Sequence, residues 1–137
     1  MEQEAKYQLT LTMKQLKVVE EALDLYTRVG MGQTEIVKET LFNLFYSDFK
    51  KITHEQWDKI KQLCDEIKNV LFDFASGQSY GIANKEVNDK AKIAYDLDKT
   101  IQKQIAADDN HRQISVWHHG NILHLGSEIL AKIEKIL

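Results

Sequence analysis

Residues 53–74 read THEQWDKIKQLCDEIKNVLFDF, and this stretch decides the fold class. Thr53 and Gln56 make a Thr-x-x-Gln pair, the spacing at which each side chain takes up a backbone N–H that a helix start leaves unbonded. Trp57, Ile60, Leu63 or Cys64, Ile67, Val70 or Leu71 and Phe74 then recur every three or four residues, the period of one helix face. The spacing predicts a long amphipathic helix, and its neighbours can be read outward from it.

Upstream, a helix is expected over 34–49, with Val37, Leu41, Leu44 and Phe45 on one side and Phe42, Tyr46 and Phe49 on another, so that it should be largely buried. Gly30-Met31-Gly32 separates it from a first helix, opened by a second Thr-x-x-Gln pair, Thr12 and Gln15. There Leu16, Val19, Leu23 and Tyr26 keep helical spacing to about Val29. Before that helix, Tyr7, Leu9 and Leu11 alternate with Gln8, Thr10 and Thr12, the period of a half-buried strand. Downstream, 76–84 reads as a loop around Gly77 and Gly81. Val87, Ala91, Ala94, Leu97, Ile101 and Ile105 mark a fourth helix, whose charges, including Asp96 and Asp98, belong on a solvated face. Ile114, Val116 and His118 alternate with Gln113, Ser115 and Trp117 as a second strand, Gly120-Asn121 offers a turn, and Ser127 is positioned to cap a short helix over 128–136. A lone strand leaves backbone groups unpaired, so the two are expected to pair. The expected fold is α+β and predominantly α-helical: about four longer helices, a small antiparallel sheet and a short C-terminal helix, in a single domain over 1–137.

Composition narrows the function classes. With 137 residues, 43% apolar and 28% charged, the chain is suited to one folded unit. Eighteen basic against 21 acidic residues provide no global cationic field, which disfavours general nucleic-acid binding. Cys64 is the single cysteine and no basic segment followed by an apolar run opens the sequence, so a cytoplasmic protein away from membranes is expected. Cys64 lies on an apolar helix face and reads as a core thiol. His118, His119 and His124 lack metal-ligand spacing, no acid/base pair stands out, and neither a metal nor a cofactor is expected.

Two glycine-containing loops carry the functional reading. Tyr26-Thr27-Arg28-Val29-Gly30-Met31-Gly32-Gln33-Thr34 ends one helix and begins the next. An anion could sit there against helix-start amides beside Arg28, or Gly30 could simply end the first helix in a sharp turn. It is not a Walker motif, because no Gly-Lys-Ser/Thr follows. The second loop, 76–84, sets Tyr80 and Asn84 before another helix, where Tyr80 could stack on a base or pack, and Asn84 could cap. The candidate ligand-binding residues are Tyr26, Arg28, Gly30, Gly32, Gln33, Thr34, Tyr80 and Asn84.

LDLYTRVGMGQ at 23–33, YGI at 80–82, AYDL at 94–97 and GSEILAKIE at 126–134 resemble a group of small tailed-phage and prophage proteins, over most of the chain from Tyr7 to Glu134. Relatives in that group often carry Pro at the position of Ile129, a departure that bears on the start of the terminal helix. The resemblance implies a phage accessory protein acting in the host cytoplasm, similar in class to small proteins that sequester nucleotide immune signals. The expectation is a non-enzymatic protein that binds a small anionic, nucleotide-derived ligand and helps evade host defence. The rival is a protein-binding inhibitor or assembly module acting on a host or phage protein. Apolar residues on more than one side of the second helix point to a homo-oligomer.

Overall fold

The computed structural model describes residues 4–45, 52–75, 77–108, 125–129 and 131–135. Among them the chain forms four helices and no strand: α1 (Met13–Gly30), α2 (Ile36–Phe45), α3 (His54–Phe72) and α4 (Asp89–Asp108). Both Thr-x-x-Gln pairs close as capping boxes. Thr12 accepts from the Gln15 amide and its own N–H donates to the Gln15 side chain, and Thr53 and Gln56 do the same for α3. At the start of α4 the side chain of Asn88 accepts from the Lys90 amide, while Asn84 accepts from Glu86 in the preceding turn.

The helices pair antiparallel. Gly30 of α1 meets Ala91 of α4, and Glu20 meets Gln102 at the other end. A side chain on Gly30 would bring its Cβ within 2.5 Å of the Ala91 Cβ, so a residue without one lets the backbones close. Val87, Ala91, Ala94, Ile101 and Ile105 of the predicted apolar series are buried. The α2 helix joins this pair to α3: Phe42 lies against Trp57 with ring centroids 5.4 Å apart, and the Thr34 hydroxyl, just before α2, donates to the Cys64 carbonyl at 2.7 Å.

Several expectations are corrected. Residues 7–12 are not a strand; Tyr7 is 94% exposed and Leu9 is exposed too. Alternation makes a strand only where a neighbour takes up the backbone groups, and no described residue does so. The second expected strand, read from 113–118, lies outside the described residues. The terminal helix is absent too, for 128, 129 and 131–135 are not helical. The segment just before it is held instead by carboxylates of α4. Asp96 accepts from Leu125 and Gly126, at 2.9 and 2.7 Å, while Asp89 accepts from both the amide and the hydroxyl of Ser127. Ser127 therefore bonds to another element and does not cap its own. Gly126 lies so close to Ile93 that an added Cβ would stand 2.8 Å from its Cα.

The charges of α4 are not confined to a solvated face. Asp96 and Asp98 are buried, because α1 covers one side of the helix and the 125–127 strap covers another. In α1 the buried positions are Glu20 and Thr27, whereas Tyr26 points outward. The α2 helix is mostly open: Ile36 is buried, but Val37, Phe42, Leu44 and Phe45 are exposed.

Candidate functional site

The turn after α1 is a helix cap built from its own amides. The Gln33 N–H donates to the Arg28 carbonyl at 2.9 Å and the Gly32 N–H to the Val29 carbonyl at 3.0 Å, the paired bonds of a Schellman motif. Gly32 holds the left-handed position, with φ +85°, so it and not Gly30 is the cap glycine. The Met31 amide also turns back, to the Thr27 and Arg28 carbonyls. Three amides that could have faced an anion thus satisfy the carbonyl end of α1. Arg28 itself reaches Asp24, one turn earlier, at 3.2 Å. Thr34 is buried through its bond to Cys64, and Tyr26 stands apart on the exposed side of α1.

The two glycine loops do converge. The Tyr80 N–H donates to the Met31 carbonyl at 2.8 Å, and the Tyr80 ring meets Phe74 edge-on at 4.8 Å and Phe72 at 6.1 Å. Asp73, in the left-handed conformation with φ 54°, ends α3 and lets Phe74 fold back to stack on Phe72. Those two rings lie beneath Gly32, where an added Cβ would come within 3.2 Å of Phe74. Convergence therefore produces an aromatic cluster under the turn, with Tyr80 packed into it; Asn84 holds its own downstream turn.

Lys68 is the residue that sequence reasoning missed. It lies on the buried stripe of α3, four residues after Cys64, and its side chain is 0% exposed. Its ammonium contacts Glu35 at 2.6 Å and has no further hydrogen-bond partner among the described residues. Burial opposes the charge of Glu35, but the bond to Lys68, aided by the charges of Lys68 and Arg28, outweighs it and holds that carboxyl below its usual range. A lysine at i+4 from a core thiol was the available signal. It was obscured by Leu63, Ile67, Val70 and Leu71, which are more apolar and in fact exposed. Cys64 is buried as expected, and burial raises its thiol pKa, which disfavours the thiolate.

An open apolar groove lies between α2 and α3. Leu41, Phe45, Ile52, Trp57 and Ile60, with Gln56 and Lys59, line an apolar groove of about 660 Å³. Lys38 stands 5.9 Å over the Trp57 ring, so the groove has a basic margin. Beyond it, Leu63, Ile67, Val70 and Leu71 continue along α3; Val70 is 84% exposed.

Among the described residues no group of three or more His, Cys, Asp or Glu is placed to hold a metal, and no helix is long and apolar enough to cross a membrane. His118, His119 and His124 lie outside them. No family model, curated protein or solved structure matches the chain.

Proposed function

We propose that the chain is a non-enzymatic protein-binding module, an inhibitor or assembly factor, that docks an apolar segment of a host or phage protein into the α2–α3 groove. The observation behind this reading is the groove itself, apolar along its floor and continuous with exposed apolar residues of both helices. Its volume is in the range that ligand clefts occupy, and its side chains suit the spaced apolar anchors of a partner helix. Lys38 and Lys59 favour a partner with acidic residues flanking those anchors.

The test compares wild type with Ile60→Asp, a change at the groove lining. A partner recovered from host or infected-cell extract is purified and its affinity for both chains is measured by calorimetry. The expected result is a 1:1 complex weakened at least tenfold by Ile60→Asp, with thermal unfolding little changed. Full affinity in a folded Ile60→Asp chain would remove the groove from the interface. Light scattering that shows a dimer lost in the variant would instead assign the groove to a second copy.

A second reading keeps the small anionic ligand, because Lys68 is fully buried and among the described residues Glu35 is the group that neutralises it. A nucleotide phosphate displacing Glu35 would meet Lys68 and then Arg28. Under this reading Arg28→Ala weakens nucleotide binding by about 1.5–3 kcal/mol, the range for hydrogen bonds to charged groups. Calorimetric titration with a nucleotide panel that shows no heat, in a chain with unchanged unfolding, would sink it.

A further inference from the structure

The seam between α1 and α4 contains two carboxylates where a helix interface normally has aliphatic side chains. Glu20 of α1 is buried, and Asp98 of α4 is 1% exposed. One side-chain amide bridges them: Gln102 Nε2 donates to Glu20 Oε1 at 2.8 Å and to Asp98 Oδ2 at 3.0 Å. Asp98 Oδ1 has no partner among the described residues. The cation beside the pair is Lys99, 3.8 Å from Asp98 Oδ2, which also donates to Gln102 at 3.3 Å and lies 5.2 Å over the Tyr95 ring. From α1, Asp24 adds a further negative charge that acts on Asp98, and Asp24 is itself paired with Arg28. The charges acting on Asp98 are thus Glu20 and Asp24 from α1 and Lys99 from α4, two acids to one base.

Two buried carboxylates that share one amide donor cannot both be ionised without a large electrostatic penalty. We propose that the α1–α4 seam is a proton-held latch: a proton on Asp98, donated toward Glu20, closes the two helices on each other, and its departure as pH rises loosens them. Burial, and then the charge of Glu20, push the Asp98 carboxyl up to about 7. An unfolded aspartate releases its proton near 3.8, so the folded chain keeps a proton that the unfolded chain loses. The stabilisation is fully present below the ordinary aspartate range and is lost as pH rises through about 7. Between these limits the folding equilibrium falls by up to tenfold per pH unit, the effect of one proton.

The experiment follows thermal unfolding of the full chain from pH 8 to pH 5, for wild type, Asp98→Asn and Glu20→Gln. The wild type is expected to gain roughly 5 °C in Tm over this window. Asp98→Asn removes the titrating group and should flatten the Asp98-dependent part of the curve, with the histidines common to both chains serving as the internal control. Glu20→Gln removes the like charge and should move the wild-type midpoint toward acid. A direct carbon-13 measurement of the Asp98 carboxyl in the wild-type chain keeps the test decisive even if a variant fails to fold. A midpoint between pH 6 and 8 supports the latch, and a midpoint below pH 5 overturns it. An Asp98→Asn curve as steep as wild type would overturn it equally.

Discussion

The α1–α4 seam and the α2–α3 pair have similar apolar sequence patterns and opposite fates. In the seam, small residues let the backbones approach, as Gly30 does against Ala91, and even the charged residues are drawn inside. In the α2–α3 pair, bulky apolar residues stay in solvent, while a lysine occupies the inner stripe. Amphipathic spacing identifies a face that must be covered by something, but not what covers it. The seam is covered from within the chain, by α1 and by the 125–127 strap on α4. Among the described residues, the outer face of α2 and α3 stays exposed.

Substitutions can break or sharpen that contrast. The largest effect is expected at Ile105, which is 0% exposed: Ile105→Ala should destabilise by about 2–5 kcal/mol, read by denaturant unfolding. A loss below about 1 kcal/mol would mean that the seam is not the stable half. Next comes Glu35→Ala, which strands the Lys68 ammonium; a loss of about 2–3 kcal/mol is expected, and Lys68→Met in the same background should restore most of it. No recovery in the double variant would show that Glu35 acts through something other than Lys68. Gly30→Ala sets a methyl group against Ala91 and should lose about 1–3 kcal/mol, with faster hydrogen exchange confined to α1 and α4. Exchange that rises equally in α3 would merge the two regions into one cooperative unit. The smallest effect is expected at Val70→Ser, under about 0.5 kcal/mol, because that side chain already stands in water. A concentration-dependent loss of stability there would reveal that a second copy covers α3.

Much of the helical organisation was legible. Thr12 with Gln15 and Thr53 with Gln56 marked two helix starts to the residue, because a capping box is a local bond pattern within four positions. The apolar series of α4 marked its buried side for the same reason of short range. The strand at 7–12 was misread because its alternation finds no partner among the described residues, and the helix at 128–136 because a local pattern competed with long-range partners. Ser127 had a capping residue's chemistry, but Asp89, distant in sequence, took both its donors. The glycine turn was placed correctly, yet its amides proved to be bonded back into α1, and an anion nest and a helix cap share the same glycine spacing.

By itself, then, the sequence determined where α1 and α3 begin, that the chain breaks at Gly30 to Gly32, and that Cys64 belongs inside. These depend on bonds and periodicities spanning a few residues. Only the tertiary structure decided that Glu20, Lys68, Asp96 and Asp98 are inside as well: another element supplies the partner of Glu20, Lys68 and Asp96, and α1 packs over Asp98, whose own partners lie on α4. It also decided which of two apolar stripes on α3 is left open. Rotation of a helix about its axis depends on the fit to its neighbours: Cys64 and Lys68 face inward, leaving Leu63, Ile67, Val70 and Leu71 to the solvent.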